Sequence, residues 1–366
     1  MSASGPMDLG PARVAEIDAS GMLAQVAGLA AQLREGYADA RAQLSERIVG
    51  PSSVAPRDQP DGLVVCGMGG SAIGADLVLA CLPAITVPAA VVRGYDLPEW
   101  VGPRTLVIAV SYSGETEETL ACATRAGARG CAPACIASGG RLGALAESEG
   151  LPWVRVPGGG QPRAAVGRLS MALLAALEAA RLTGRHDEEV AQAAAQLEAD
   201  DALLAPGRPD TDNAAKRLAR TLEQRLVVVY GAGPTVPVAR RWKGQVNENA
   251  KAPAFFNELP ELDHNEIMGW TSLPHVASSA VALFLTDVAA GERLGRRADL
   301  TAREYERLGV TSEVIAARGS SRLARLFSLV QLGDYVSCYL ALLYGVDPTP
   351  VDAIEAFKAG LSDPAG

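Results

Sequence analysis

Short apolar runs alternate with amphipathic segments along most of the chain from about residue 60 onward. Five of these runs are apolar along nearly their whole length: 63–67, 88–92, 105–111, 133–137 and 152–156. Strands that are apolar on both faces are typical of a parallel sheet with helices on both sides. The pattern restarts at 226–233 and continues through 281–286 and 310–317. The sequence therefore predicts an α/β protein of two similar halves, each a parallel β-sheet sandwiched between α-helices.

The segments around these halves complete the predicted organisation. Apolar positions at helical spacing over residues 13–48 predict one long amphipathic helix, and a Ser/Pro-rich linker follows it to Asp61. We expect five regions in all. They are an N-terminal helix and linker (1–60), a first α/β domain (61–160), a helical crossover (161–214), a second α/β domain (215–346) and a C-terminal helix (347–366).

Composition and charge exclude several classes of function. The formal net charge is −9, so the surface repels phosphate backbones and we expect no nucleic-acid partner. The six cysteines and three histidines form no zinc-ligand set, so we expect no metal. The uncharged stretch 267–286 contains Pro274 and predicts a turn with a buried strand, so we expect no membrane span. Six scattered cysteines without a signal-peptide pattern predict a cytoplasmic protein.

The glycine-rich segment GMGGSAIG (67–74) lies where the first predicted strand passes into a helix. Gly69 and Gly70 allow a sharp turn there, and the amides of a helix N-terminus attract anions, so Ser71 suits a phosphate group. The same segment also fits a relaxed dinucleotide fingerprint, with Asp96 as a possible ribose acceptor. A tight turn without a ligand is the third interpretation. This motif alone does not decide among them.

A second polar loop, SYSGET (111–116), closes the third predicted strand. Ser111, Ser113 and Thr116 surround Gly114 at a helix entry, where hydroxyls and free amides favour a phosphate dianion. The alternative is an ordinary helix N-cap, although capping alone needs only one hydroxyl. Two such loops would meet at one sheet edge. A sugar phosphate needs both loops, whereas a dinucleotide leaves the second unexplained.

Together the two loops resemble a sugar isomerase (SIS) domain. The segments RRWKGQVNENAKAPAFFNELPELDHNEIMGW (240–270) and GDYVSCYLALLYGVDPTPVDAIEAFK (333–358) resemble the bifunctional phosphoglucose/phosphomannose isomerases of archaea and some bacteria. The resemblance spans about residues 60–360 and implies two SIS domains and a homodimer with active sites at its interface. It also implies interconversion of glucose 6-phosphate and/or mannose 6-phosphate with fructose 6-phosphate, without metal or cofactor.

The resemblance assigns roles to residues by position. Glu248 in NEN matches the catalytic base, and His264 in DHNE matches a ring-opening histidine that the partner subunit contributes. Arg163 matches an active-site arginine, and Lys358 matches a lysine that the C-terminal helix returns to the active site, near the ring oxygen. The glycine-loop and hydroxyl residues match the substrate and phosphate ligands: Gly69, Gly70, Ser71, Ser111, Ser113 and Thr116.

The chemistry of aldose–ketose isomerisation suits these residue types. One carboxylate can move a proton between C1 and C2 through a cis-enediolate, and Asn247 and Asn249 beside Glu248 could orient it. A histidine titrates near neutrality and can shuttle the ring-opening proton between O1 and O5. A planar cation such as Arg163 can stabilise the developing enediolate oxygen.

Two positions depart from the family pattern. A threonine near the start of the last helix helps family members accept mannose 6-phosphate. Thr349 is the candidate here, but ungapped counting back from Lys358 places Val351 at that position, so dual specificity stays open. Asp263 stands where many relatives have Asn, and its charge could raise the pKa of His264.

The alternative function is a non-catalytic SIS-domain regulator that binds a sugar phosphate. Such a regulator would have an attached DNA-binding helix-turn-helix, but the first 60 residues show one predicted helix and no basic cluster. A third function, an NAD-dependent enzyme, would leave SYSGET without a purpose. The isomerase is therefore the leading hypothesis.

Overall fold

The structure is a computed structural model that describes residues 8–44, 59–82 and 85–362. One sheet contains β1 (Gly62–Cys66), β2 (Ala89–Val92), β3 (Thr105–Ser111), β4 (Ala134–Ala137) and β5 (Trp153–Arg155), in the order β2-β1-β3-β4-β5. The other contains β6 (Leu226–Ala232), β7 (Ala254–Leu259), β8 (Ala280–Thr286) and β9 (Thr311–Ala316), in the order β7-β6-β8-β9. All neighbouring strands are parallel. The predicted α/β fold with two parallel sheets is confirmed.

Helices precede, connect and follow the strands. The N-terminal helices are α1 (Pro11–Ile17), α2 (Met22–Ala27) and α3 (Leu29–Leu44). The first half contains α4 (Gly69–Cys81), α5 (Glu117–Ala128) and α6 (Gly140–Ser148), and the connection contains α7 (Val166–Ala179), α8 (Asp187–Leu204) and α9 (Ala214–Leu222). The remaining helices are α10 (Val236–Asn249), α11 (Glu266–Gly269), α12 (Pro274–Ser278), α13 (Glu292–Arg307), α14 (Arg322–Tyr344) and α15 (Asp352–Ser362).

The N-terminal region differs from the single helix predicted over 13–48. The Asp18 carboxylate accepts hydrogen bonds from the backbone N–H groups of Met22 at 2.7 Å and Leu23 at 2.8 Å. Gly21 adopts a left-handed conformation with φ of +72°, so the chain turns between α1 and α2. The prediction was wrong because the apolar spacing continues across this turn. Residues 45–48, and nearly all of the predicted linker, lie outside the described residues.

The strand predictions are accurate except at β7. Eight strands match the predicted runs to within one residue at either end, but the sequence analysis assigned no strand to AFFNEL. This strand lies at the edge of its sheet and leaves Phe255 56% exposed. A partly exposed edge strand lacks the continuous apolar run that identifies a central one.

The core of the protein is centred on α14. This helix is long and apolar enough to cross a membrane, but 94% of its apolar window is buried within the fold, which identifies it as a core helix. Gly333 allows α10 to approach closely, because a Cβ at Gly333 would lie 2.2 Å from the indole nitrogen of Trp242. Trp242 donates from that nitrogen to the carbonyl of Leu329 at 2.8 Å. The position of α10 is therefore fixed against the core.

The order β7-β6-β8-β9 matches the order β2-β1-β3-β4 in the other sheet, so the segment after β8 corresponds to the segment after β3. Asp287 follows β8 directly and is buried. Its carboxylate accepts the N–H of Ala289 at 2.5 Å and pairs with Arg325 at 2.9 Å. The second half thus has a buried carboxylate in the region where the first half has the SYSGET hydroxyls.

Candidate active site

The two polar loops of the first half meet at the carboxyl edge of its sheet. The glycine-rich loop connects β1 to α4, and the SYSGET loop connects β3 to α5. The backbone N–H of Tyr112 donates to Ser71 Oγ at 3.2 Å, so the loops are joined directly. Helix α4 begins at Gly69 with no side-chain cap, which leaves its N-terminus suited to an anion.

The hydroxyls of the SYSGET loop differ in exposure. Ser111 is fully buried, and its Oγ accepts the N–H of Gly114 at 3.1 Å and lies 2.8 Å from Thr116 Oγ1. Ser113 is exposed, and Thr116 is half-buried. Thr116 stands at the N-cap of α5 without making a side-chain capping bond. Ser111 therefore shapes the loop, and helix capping does not account for the hydroxyl of Thr116.

Gly114 is required by the path of this loop. Its φ is +74°, and a Cβ at this position would lie 1.9 Å from the carbonyl oxygen of Gly139. The carbonyl oxygen of Gly114 accepts a hydrogen bond from the N–H of Leu142 at 3.0 Å. The SYSGET loop is thus packed tightly against the start of α6.

Arg163 stands on a short 3-10 turn, Pro162–Ala164, beside the glycine-rich loop. A Cβ at Gly70 would lie 2.9 Å from the Pro162 carbonyl oxygen, so glycine lets the two segments approach. The Arg163 side chain is buried, and its guanidinium donates to four oxygens. These are Asn249 Oδ1, Pro348 O and Thr349 O, each at 2.7 Å, and Gln161 Oε1 at 3.2 Å.

Glu248 faces this guanidinium from the last turn of α10. Its Oε2 lies 3.8 Å from Arg163 Nη1, and its side chain is 34% exposed. Burial lowers the pKa of Arg163, and the Glu248 charge acts in the opposite direction. A carboxylate and a guanidinium therefore meet at a partly open position.

A cleft of about 190 Å³ includes this pair. Gly69, Gly70, Arg163 and Glu248 are predicted site residues that line it. The other lining residues are Ile73, Arg93, Arg240, Arg241, Lys243, Gly244, Gln245 and Phe256.

Four cations of the cleft were given no role in the sequence analysis: Arg93, Arg240, Arg241 and Lys243. Arg93 directly follows β2 and forms an ion pair with Asp76. Arg240 lies 3.7 Å from the same carboxylate oxygen of Asp76. The sequence did carry a signal for Arg240: residues 240, 244 and 248 are spaced four apart on α10, so Arg240 lies on the same helix face as Glu248. The cleft is therefore locally positive although the chain is acidic.

The remaining predicted site residues lie outside the lining of this cleft: Ser71, Ser111, Ser113, Thr116, His264, Thr349 and Lys358. His264 is exposed at the end of the 3-10 turn Glu261–His264, and Lys358 is exposed on α15. Thr349 is buried beside Arg163, and its Oγ1 has no hydrogen-bond partner in the described part of the chain.

Three polar residues near the predicted site have partners that the sequence did not indicate. The Asp263 carboxylate pairs with Arg297 at 2.6 Å and accepts the hydroxyl of Thr301 at 2.8 Å. It therefore fastens the turn of His264 to α13. Asn249 binds Arg163, and Asn247 donates to the Ala252 carbonyl at 2.8 Å. The expectation that these amides orient Glu248 is wrong.

No group of three metal-binding side chains occurs within residues 8–44, 59–82 and 85–362.

A protein-family model, that of the bacterial phospho-glucose isomerase C-terminal SIS domain, matches residues 211–361 of this chain. The fold is similar to that of tagatose-6-phosphate ketose/aldose isomerase from Escherichia coli. That structure aligns with a TM-score of 0.70 at 15% identity, over 90% of this chain and 95% of the other.

Two curated relatives align along most of the chain, and both are named bifunctional phosphoglucose/phosphomannose isomerase. The protein from Caldicellulosiruptor bescii is 42% identical over 307 residues, which cover 83% of this chain and 90% of the relative. The protein from Aquifex aeolicus is 39% identical over 303 residues, which cover 82% and 90%. Because these identities extend over most of both chains, the chain belongs to the bifunctional phosphoglucose/phosphomannose isomerase family.

Proposed function

We propose that the cleft between α10 and the turn of Arg163 is the active site of a phosphoglucose/phosphomannose isomerase that acts on hexose 6-phosphates. The observation that supports this most directly is the placement of Glu248 Oε2 3.8 Å from the buried Arg163 guanidinium. An enediolate route needs a base that moves a proton between C1 and C2 and a cation at the oxygen that gains charge. Both groups stand here beside the glycine-rich loop.

In this proposal Glu248 takes the proton from one carbon and returns it to its neighbour. Arg163 stabilises the enediolate oxygen, and its burial strengthens that interaction because little water screens the charge. Four hydrogen bonds hold the guanidinium in place before substrate arrives. Little reorganisation is then needed as charge develops.

The phosphate group is assigned to the edge where the two polar loops join. The N-termini of α4 and α5 offer backbone N–H groups and favourable helix dipoles to a dianion. Ser71, Ser113 and Thr116 add hydroxyls, while Ser111 keeps the loop in shape. Arg93, Arg240 and Lys243 supply positive charge in the cleft that Gly69 and Gly70 of the glycine-rich loop also line.

The ring-opening groups are assigned to a homodimer. His264 and Lys358 lie on exposed segments that also present apolar side chains to solvent: Phe255 is 56% exposed, Met268 70% and Phe357 67%. Surfaces of this kind are typical of an interface between copies. We expect His264 of one subunit to complete the site of the other, and light scattering of the purified protein tests for the dimer.

We place the enzyme in the cytoplasm because all six cysteines are free thiols.

The decisive experiment measures turnover and binding separately. Purified protein in EDTA should convert fructose 6-phosphate into glucose 6-phosphate and mannose 6-phosphate, assayed as two separate products because the Thr349 position leaves dual specificity open. Glu248→Gln should reduce kcat by roughly 10³-fold or more, since the base is lost. Calorimetric affinity for fructose 6-phosphate should change little.

Glu306→Gln is the matched control, because Glu306 is exposed on α13 away from the cleft. It should leave both measurements unchanged. If Glu248→Gln kept wild-type turnover, the assignment of Glu248 as the catalytic base would be wrong. Tight binding of fructose 6-phosphate by a wild-type protein that shows no turnover would favour the regulator instead.

A further inference from the structure

Asn249 is the neighbour of Glu248 at the end of α10, and its side chain is fully buried. Its Oδ1 accepts a hydrogen bond from Arg163 Nε at 2.7 Å, and its Nδ2 donates to Ser337 Oγ at 2.9 Å. The Ser337 hydroxyl donates its own hydrogen to the Asp334 carbonyl at 2.8 Å. Ser337 can therefore only accept from Asn249, and Arg163 can only donate to it. A side chain at this place must accept on one side and donate on the other, which a carboxamide does and a carboxylate does not.

The hydrogen bond that Asn249 accepts fixes Arg163 Nε, and the other hydrogen bonds of the guanidinium are made by Nη1 and Nη2. Arg163 Nη2 donates to the carbonyls of Pro348 and Thr349, each at 2.7 Å. With Nη2 and Nε both held, the planar group has no remaining rotation. Nη1 then donates to Gln161 Oε1 at 3.2 Å and lies 3.8 Å from Glu248 Oε2.

The support behind Asn249 comes from the core helix α14. Ser337 and Asp334 both lie on α14, and the Asp334 carboxylate forms a buried pair with Arg241 at 2.7 Å. Arg241 also donates to the backbone carbonyl of Arg163 at 2.8 Å. The helix thus holds the Arg163 backbone through Arg241 and its side chain through Asn249.

We propose that Asn249 is a positioning residue for isomerisation, which sets the direction of the Arg163 guanidinium relative to Glu248. The proposal rests on the proposed function, in which Arg163 stabilises the enediolate. Asn249 itself touches neither the substrate nor the reacting atoms and acts through Arg163. Its effect should therefore depend on the presence of an arginine at residue 163.

The test is a double-mutant cycle between Asn249→Ala and Arg163→Lys. In the wild-type background, Asn249→Ala should lower kcat for fructose 6-phosphate by about 10- to 100-fold with little change in KM, since small misplacement of a catalytic group has effects of that size. Lysine has no Nε for Asn249 to hold. In the Arg163→Lys background, Asn249→Ala should therefore change kcat by less than about twofold. Equal losses in the two backgrounds, or an unchanged kcat in the single variant, would overturn the proposal.

Ser337→Ala provides a milder variant if Asn249→Ala does not fold. It removes the acceptor of Asn249 Nδ2 and leaves every atom of Asn249 and Arg163 in place. We expect a smaller loss of kcat that again disappears in the Arg163→Lys background, with a melting temperature near that of the wild type. A loss that is equal in both backgrounds contradicts the proposal for this variant too.

Failure of the proposed function would look different. If Arg163→Lys and Glu248→Gln both kept wild-type turnover, the active-site assignment itself would be wrong. If both variants lost activity while Asn249→Ala and Ser337→Ala kept it, only the positioning role would be wrong.

Discussion

The tight contact between Gly114 and Gly139 gives a prediction that separates two effects of one methyl group. Gly114→Ala adds a Cβ to a residue with φ of +74°, at 1.9 Å from the carbonyl oxygen of Gly139. Left-handed backbone costs a residue with a Cβ about 1–2 kcal/mol. Forcing extra atoms into a packed position costs about 1–3 kcal/mol more. The free energy of unfolding should fall by about 2–5 kcal/mol in total.

Gly130→Ala is the matched control for this substitution. Gly130 has nearly the same φ, +77°, but the nearest atom to its added Cβ would be Pro103 Cγ at 3.3 Å. This variant should lose only the backbone contribution of about 1–2 kcal/mol. The difference between the two variants therefore measures the close approach of the SYSGET loop to the start of α6.

Urea titration of both variants provides the measurement, with steady-state kinetics on fructose 6-phosphate beside it. Because Gly114 belongs to the proposed phosphate loop, Gly114→Ala should also raise KM, whereas Gly130→Ala should not. Equal losses of stability in the two variants would show that the Gly114–Gly139 contact relaxes freely, and the reasoning from packing would then be refuted.

Three further predictions concern charged groups. Lys243→Ala should lower kcat/KM by roughly 2- to 10-fold at low salt and less at high salt, with kcat unchanged, because the cleft cations attract the substrate dianion; a loss independent of salt would contradict this. The hydrogen bond to Glu178 raises the pKa of His186 above 6.5, so its stabilisation is present below pH 6.5 and disappears as the pH rises through the folded-state value. The free energies of unfolding of His186→Gln and wild type, measured by urea titration, should therefore differ most near pH 5.5, by about 1 kcal/mol or less, and converge by pH 8.5. Asp263→Ala should reduce kcat by roughly 10-fold by releasing the turn of His264, and Asp263→Asn by less; equal kcat in all three proteins would exclude this anchoring role.

The fold was largely accessible from the sequence because its central strands are continuous apolar runs. These runs predicted β3 at the observed residues and the other central strands to within one residue. The errors have physical causes. Edge strand β7 is half-exposed, so its pattern is mixed, and the turn at Asp18–Gly21 interrupts a helix without interrupting the apolar spacing.

The site was only partly accessible. The motif indicated Gly69 and Gly70, and the family resemblance indicated Glu248 and Arg163. The sequence did not indicate the hydrogen-bond partners of Asn249. Ser337 lies 88 residues further along the chain and contacts Asn249 only because α10 packs on α14. The same holds for Arg93, which reaches the cleft from β2. Such contacts depend on tertiary packing, which local patterns do not record.

The buried carboxylate of Asp287 has a consequence for how many substrate molecules one chain can hold. Two sheets with the same order in four strands would be expected to offer two equivalent anion sites per polypeptide. Here the ion pair between Asp287 and Arg325 occupies the loop after β8. The second half instead contributes Glu248 to a cleft whose glycine loop belongs to the first half. The two halves are therefore similar in topology but contribute different groups to the site. We expect a binding stoichiometry of one hexose phosphate per chain, and neither half isolated from the other should retain turnover.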